Sequence, residues 1–305
     1  MNTLSIVSPV YGDKKNVILL YEAIKKALGK LDLDYEIILV NDCCPYGSGE
    51  EIEKIAQIDK KVKFIDFSRN FGQHNAIKAG IDYSKGDYVV VMDCDMQDNP
   101  EDIIPMYEKI KEGYDIVFGI RKERVDKISK KLISKIFRLF ERYLSEYVSP
   151  YDHGNFCIIT KQVADEFKKI NNVNFHFRTI IYYLGFKIGN IDIVKHKRAE
   201  GKSCYNLAKA FKLATRRIIA NSNKPIILGG FCIFLMFGAS CTTFIKFVYD
   251  IINNNSVKFD ILMLSIFIIA TLLFTYLLIL GIYIGATFSE SKHKPLYIVK
   301  RTMNI

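Results

Sequence analysis

Two aspartates one residue apart, Asp93 and Asp95, follow the apolar run Tyr88–Met92. Carboxylates at that spacing, beyond a buried strand, can hold a divalent cation and leave positions open for diphosphate oxygens. Gln97 and Asp98 stand directly behind them. The competing assignment is a turn or helix cap, because Asn99-Pro100-Glu101-Asp102 reads as a helix start. Three further polar clusters end apolar runs in the same way: Pro9-Val10-Tyr11-Gly12-Asp13, Asn41-Asp42, and Ser68-Arg69-Asn70-Phe71-Gly72-Gln73. Ligands of open α/β sheets bind beyond the carboxyl ends of the strands, so four clusters at one edge point to one cleft. No G-x-x-x-x-G-K-[ST] occurs and no G-x-G-x-x-G follows the first strand, which disfavours P-loop phosphoryl transfer and hydride transfer.

The elements that must position these residues are short β-branched runs alternating with helical spacing. Leu4–Val10, Glu36–Val40, Val62–Phe67, Tyr88–Met92 and Asp115–Phe118 predict strands, and 15–30, 50–58, 74–84 and 101–112 predict helices. That alternation implies an α/β fold with a mainly parallel sheet covered on both faces. The chain has 305 residues, 50% hydrophobic and 25% charged, which excludes disorder. Two stretches lack charge altogether: 21 residues between Lys224 and Lys246, and 29 between Asp260 and Glu290. At about 1.5 Å per residue the first reaches ~31 Å, enough for a ~30 Å hydrocarbon core. The second must tilt or extend past it. Neither contains an Asp, Glu, Lys, Arg or His, which disfavours a channel or a proton-coupled transporter.

Charge is as unevenly distributed as hydrophobicity. Of the net +10, residues 1–224 carry +7; segments 121–142 and 195–224 alone hold +6 and +8, leaving −7 for the remainder of that region. An acidic head beside basic segments and apolar spans suits a membrane-surface enzyme and not a nucleic-acid binder. Arg216, Arg217 and Lys224 precede the first span, and Lys292, Lys294, Lys300 and Arg301 follow the second. The positive-inside rule then predicts both ends on the cytoplasmic side of an inner membrane. No signal peptide is expected, because the first apolar stretch, Leu4–Val10, is short and contains Pro9. The seven cysteines show no metal-type spacing and read as reduced thiols, Cys43–Cys44 included.

Several stretches, in order, resemble glycosyltransferase family 2, specifically its membrane-anchored polyprenyl-phosphate glycosyltransferases. They are Ser5-Ile6-Val7-Ser8-Pro9-Val10-Tyr11, Ser68-Arg69-Asn70-Phe71-Gly72, Asp93-Cys94-Asp95-Met96-Gln97-Asp98, residues 114–121 and Lys294-Pro295-Leu296-Tyr297-Ile298-Val299. The resemblance covers nearly the whole chain. It implies a GT-A (nucleotide-diphospho-sugar transferase) domain followed by two transmembrane helices, a nucleotide-diphosphate sugar donor and a polyprenyl phosphate acceptor. It also implies that Asp42 is the base- and ribose-binding carboxylate, and that Pro9, Tyr11 and Asp13 form the first nucleotide loop. Gly12-Asp13 departs from the usual Asn-Glu, Cys94 from the usual Ala, and Asn41-Asp42-Cys43-Cys44-Pro45 from Asp-Asp-Gly-Ser-Thr.

Residues 126–148 set Ile128, Leu132, Ile136, Phe140 and Tyr147 at helical spacing among Lys127, Lys131, Lys135, Arg138 and Arg142. Such a basic amphipathic helix suits the headgroup layer, as does a second one over 206–221; the alternative is a helix packed on the domain with a solvated basic face. Arg198, Gly201, Lys202, Ser203 and Tyr205 resemble the family's loop over the donor diphosphate, where Arg198 and Lys202 would clamp phosphate oxygens. Arg121 and Arg124 are further phosphate candidates, against a role as membrane-surface charge. Asp152-His153-Gly154-Asn155-Phe156 resembles the family's second acidic motif, with Asp152 orienting the acceptor or serving as base. His153, His74 and His176 read as structural or solvated.

The expected organisation is a cytoplasmic catalytic domain over 1–205, an interfacial helix over 206–224, spans over 225–249 and 259–289, and a basic tail over 290–305. The expected reaction is metal-dependent (Mg²⁺ or Mn²⁺) and inverting, with Asp93 and Asp95 as metal ligands and Asp95 and Asp152 catalytic. Two alternatives are a transferase of the same fold acting on a lipid-linked oligosaccharide or other hydroxyl acceptor, and a non-catalytic membrane adaptor with a degenerate head. Gly281 and Gly285 give small-xxx-small spacing, which permits close helix contact within the chain or in a homo-oligomer.

Overall fold

The computed structural model describes residues 2–12, 14–121, 153–171, 176–194, 222–253 and 259–305. The expected helices over 126–148 and 206–221 lie outside the described residues. Two compact units divide the chain: one over residues 1–133, 147–205 and 294–305, the other over 134–146 and 206–293.

The first unit opens with the expected alternation: β1 (Thr3–Val10), α1 (Lys14–Leu28), β2 (Asp34–Asn41), α2 (Ser48–Ile58), β3 (Val62–Phe67), α3 (Gln73–Tyr83), β4 (Tyr88–Val91), α4 (Ile103–Lys111) and β5 (Ile116–Arg121). It continues with β6 (His153–Thr160), α5 (Lys161–Lys168), α6 (Phe177–Tyr183) and β7 (Ile188–Ile193), and closes with β8 (Val299–Met303). The sheet order is β7-β5-β6-β4-β1-β2-β3-β8. β1 pairs in parallel with both β2 and β4, β2 with β3, and β5 with β7. β6 runs antiparallel to β4 and β5, and β8 runs antiparallel to β3.

Strand residues alternate between two apolar layers, as a period of two requires. Leu4, Ile6, Ile37 and Leu39 face a cluster with Leu20 and Ile24 of α1, Ile52 of α2 and Met106 of α4. Val7, Ile38 and Val40 face Ile77 of α3, Phe167 of α5 and Ile181 of α6. Both faces are therefore dry, which is why β2 and β4 read as nearly continuous apolar runs. Gly80 brings α3 against β1 so closely that a Cβ there would collide with the Val7 side chain.

The domain is larger than the sequence reading of residues 1–205. Residues 294–305, read as a basic tail, belong to the same compact unit, and Val299–Met303 is its edge strand beside β3. Lys300, Arg301 and Thr302 are exposed there, so the strand lacks the apolar alternation that would have revealed it.

The second unit contains α7 (Lys224–Ile252) and α8 (Phe259–Ser291), 29 and 33 residues long. Both are long and apolar enough to cross a membrane. Phe231, Phe234, Phe237 and Phe274 are all exposed, each by more than half of its surface. Within this unit Gly229 and Gly230 admit the ring of Tyr276, and Tyr283 donates its hydroxyl to the Ser222 carbonyl at 2.6 Å.

Candidate active site

β1, β2, β3 and β4 all deliver polar residues to the carboxyl edge of the sheet, where the order turns from β1 to β2 on one side and to β4 on the other. Pro9 is buried at the end of β1, and Tyr11 beyond it is 55% exposed, its ring 6.4 Å from Tyr46 in an edge arrangement. Gly12 between them is tied to the next loop. Its N–H donates to Cys44 Sγ at 3.3 Å, and its carbonyl accepts from Ser48 Oγ at 2.6 Å and Cys44 Sγ at 3.1 Å. Cys44 thus has a packing role in the loop, consistent with a free thiol.

Asp42 directly follows β2 and is almost wholly buried. The N–H groups of Phe71 and Gly72 donate to its Oδ1 and Oδ2 at 2.6 and 2.9 Å. Burial raises its carboxyl above the ordinary range, against the opposing pull of those two bonds and the Arg69 charge. The Ser68–Gly72 stretch is therefore the wall that closes on Asp42. Gly72, at φ 95, supplies the turn into α3 that a side chain would resist.

Gln73 and Asn155, given no individual role in the sequence reading, both meet the aspartate pair. Gln73 Nε2 donates to Asp93 Oδ1 at 2.6 Å, and Asn155 Nδ2 donates to the same oxygen at 3.3 Å. Asn155 is brought near by β6, which runs antiparallel to β4 with Val91 opposite Cys157, two residues short of both Asp93 and Asn155. Asp95 Oδ1 accepts from the Gln97 N–H at 3.2 Å. The capping alternative is answered by Asn99, whose side chain accepts from the Glu101 N–H at 3.1 Å and starts the turn Pro100–Asp102. Asp98 is fully buried behind the pair.

Residues that immediately follow both key carboxylates take left-handed conformations rare outside glycine: Cys43 at φ 52 after Asp42, and Met96 at φ 58 after Asp95. Cys43 stands where the resembled family has glycine, and its positive φ is the physical reason for that preference. Between the aspartates, the Cys94 thiol is pushed up to about 12, first by burial and then by the Asp95 and Asp93 charges. The donors on either side of it are the carboxylate oxygens of Asp93 and Asp95. That set fits a hard divalent cation, which commonly takes one or two protein carboxylates and completes its shell from substrate phosphates and water. Among the described residues no cluster of three or more His, Cys, Asp or Glu side chains is placed to hold a metal.

Arg121 is the last residue of β5, paired with Ile193. Asp13, Arg124, Asp152, Arg198, Lys202 and Ser203 lie outside the described residues. The structure thus brings together Pro9, Tyr11, Asp42, Asp93, Asp95 and Gln97, and adds Gln73 and Asn155 as holders of Asp93.

The family model of glycosyl transferase family 2 matches residues 5–168. The chain belongs to glycosyltransferase family 2. The match spans β1 to α5 and so includes the whole edge just described. An uncharacterized glycosyltransferase YkcC of Bacillus subtilis (strain 168) is 36% identical over 307 residues, 99% of this chain and 94% of the relative. A prophage bactoprenol glucosyl transferase homolog of Escherichia coli (strain K12) is 27% identical over 302 residues, 98% of each chain. Among solved structures, mannosyl-3-phosphoglycerate synthase from Rubrobacter xylanophilus aligns with a TM-score of 0.52 at 16% identity, over 72% of this chain and 73% of that one. Glucosyl-3-phosphoglycerate synthase from Mycobacterium tuberculosis, in complex with Mn²⁺, uridine diphosphate and phosphoglyceric acid, aligns at 0.51 and 14% identity, over 72% and 76%. These likenesses establish the GT-A fold, and this family-2 protein is a glycosyltransferase.

Proposed function

We propose that this glycosyltransferase moves a sugar from a nucleoside-diphosphate sugar to a polyprenyl phosphate at the cytoplasmic face of a membrane, with inversion at the anomeric carbon. The observation that carries the donor half is the Asp93–Asp95 pair beside the Asp42 loop, with Asp93 oriented by Gln73 and Asn155 and Asp95 by the Gln97 N–H. The acceptor half is supported by the two apolar helices and by relatives named for bactoprenol, matched along nearly their full length.

Asp93 and Asp95 would hold Mg²⁺ or Mn²⁺, which when bound neutralises charge on the diphosphate. Asp42, with the Phe71–Gly72 backbone closed on it, shapes the nucleoside side of the cleft together with Pro9, Tyr11 and Asp13, while Gln97 and Asp98 line the region behind the pair. Arg121, Arg124, Arg198, Lys202 and Ser203 would neutralise or bind donor and acceptor phosphates. An acceptor phosphate monoester, whose second pKa is near ~6, is already a nucleophilic dianion. Its oxygen forms the new bond to the anomeric carbon, and the bond to the donor diphosphate breaks with its electron pair leaving on the nucleoside diphosphate. No proton need be removed, so Asp152 would orient the acceptor, and positioning would dominate over base catalysis.

The decisive experiment incubates membranes containing the protein with undecaprenyl phosphate and a panel of labelled nucleotide sugars. Chloroform-extractable sugar phosphate from one donor is expected; absence of extractable label with every donor overturns the acceptor assignment. Asp152→Asn is expected to retain measurable transfer. A nearly dead Asp152→Asn with steep pH dependence would instead indicate a hydroxyl acceptor that needs a base.

A further inference from the structure

The segment Lys294–Val299 matched the family pattern without any role attached to it, and its contacts converge on the loops around Asp42. The Tyr297 ring stacks on Phe67 at 5.2 Å with planes 14° apart, and Phe67 meets Phe71 edge-on at 5.6 Å. The Phe71 N–H is the group that reaches Asp42 Oδ1. Tyr297 is fixed from its other end, its hydroxyl donating to Asp82 Oδ2 at 2.8 Å, and Asp82 is in turn ion-paired with the buried Lys78. The Ser68 N–H donates to the Ile298 carbonyl at 3.0 Å, which ties down the start of the same loop.

A second line of contacts runs to the other side of Asp42. Arg301 Nε donates to Asp66 Oδ2 at 3.1 Å, and its Nη1 donates to Glu53 at 2.9 Å. The other oxygen of Asp66 accepts from Asn41 Nδ2 at 2.8 Å, and Asn41 Oδ1 accepts from the Cys44 N–H at 3.2 Å. Gly49 leaves room for this, since a Cβ there would come within 2.8 Å of Asn41 Nδ2. A strand that merely covered an edge could do so with any charged residues. Here the directional side chains of Tyr297 and Arg301 each lead to a loop that flanks Asp42, Tyr297 through Phe67 to Phe71 and Arg301 through Asp66 and Asn41 to Cys44.

We propose that Tyr297 and Arg301 are positioning residues for donor binding: the C-terminal segment that ends in β8 preorganises the two loops that flank Asp42. The inference rests on the reading of the Asp42 loop as the nucleoside side of the cleft. A loop ordered before the ligand arrives lowers the cost of binding it. Loss of either residue therefore raises the donor KM and weakens nucleoside diphosphate binding, with kcat little changed.

The test uses the full-length protein in detergent. Uridine diphosphate and guanosine diphosphate are each titrated with Mn²⁺ present, and the tighter binder is carried forward. Tyr297→Phe is expected to weaken its binding about threefold to fivefold, and Tyr297→Leu or Arg301→Gln about tenfold, as one lost hydrogen bond or a lost charge-assisted pair dictates. Arg301→Lys should recover part of the loss, and Thr302→Ala should bind as the unsubstituted protein does. Circular dichroism and the thermal midpoint report folding; if a larger substitution unfolds the domain, Tyr297→Phe, which removes a single hydroxyl, carries the test. Tyr297 and Arg301 variants that bind like Thr302→Ala, or that lower kcat with donor KM unchanged, overturn the inference. Asp42→Asn separates the two layers of argument. If it binds nucleotide normally, or if neither nucleotide binds the unsubstituted protein, the nucleoside-loop reading itself has failed; if it binds weakly while the Tyr297 and Arg301 variants are normal, only the positioning role has failed.

Discussion

The same parallel strands end in buried charge at both edges of the sheet, and the two edges handle it in opposite ways. At the amino edge, Glu36 is paired with Lys63 and also accepts from Ser5 Oγ at 2.6 Å and the Lys85 N–H at 2.8 Å. Burial alone would raise its carboxyl, yet the bonds from Lys63, Ser5 and Lys85 together hold it below the usual range. At the carboxyl edge, Asp42 is held by backbone N–H groups and Asp93 accepts from the amides of Gln73 and Asn155. The Asp42 carboxyl is raised by burial, and the Asp93 and Asp95 charges still push on the Cys94 thiol. A buried carboxylate matched by a cation inside the fold contributes stability, whereas backbone and amide N–H donors orient a carboxylate without neutralising it. The difference separates the structural edge from the working edge.

Breaking the working edge should have the largest effect. Asp95→Ala should lower kcat by about a hundredfold to a thousandfold, comparable to deleting one preorganised electrostatic group in an active site, with the thermal midpoint unchanged. Near-normal turnover in the purified variant would remove Asp95 from the metal assignment. At the structural edge, Glu36→Ala should cost about 3 kcal/mol of stability by leaving Lys63 buried without its partner, while turnover per folded molecule stays the same. Chemical denaturation alongside an active-site titration measures both quantities. A smaller effect is expected from Gln73→Ala, which loosens Asp93 without removing it: about a tenfold loss of kcat/KM with unchanged stability.

The subtlest prediction concerns sign. Glu36 has a lowered folded-state pKa, so its contribution is present above the ordinary glutamate value of about 4.3 and is lost as pH falls through the folded value. Asp42 has a raised one, so folding takes up a proton there and its contribution grows as pH falls. Between neutral pH and about 3, the unsubstituted protein should lose stability relative to Glu36→Gln and gain it relative to Asp42→Asn. Parallel denaturation profiles for the two variants would erase the distinction between the edges.

Much of the working edge was legible in the residues. The strand–helix alternation from β1 to β5 follows from local periodicity, and the acidic pair announces itself by following an apolar run. The expected strands differ from the observed ones mainly at their ends; β1 begins at Thr3 and β2 runs from Asp34 to Asn41. What the residues did not disclose are partners across the sheet. Asn155 stands in the motif Asp152-His153-Gly154-Asn155-Phe156, but its contact with Asp93 depends on β6 lying antiparallel to β4 in one register. The C-terminal strand was hidden for a different reason. An exposed edge strand carrying Lys300 and Arg301 has the composition of a solvated tail, and Arg301 finds Asp66 across 235 positions.

By itself, the sequence determined the alternation of elements, the acidic pair, the charge-free stretches and the family pattern, because each is written in composition and local spacing. Tertiary structure decided which neutral groups hold which carboxylate, that Asn99 and not the aspartate pair caps the following turn, and that the last residues of the chain return to the sheet beside β3. The physical reason is that periodicity specifies which face of an element is buried, whereas hydrogen-bond partners between distant elements are chosen only when the register of the sheet is set.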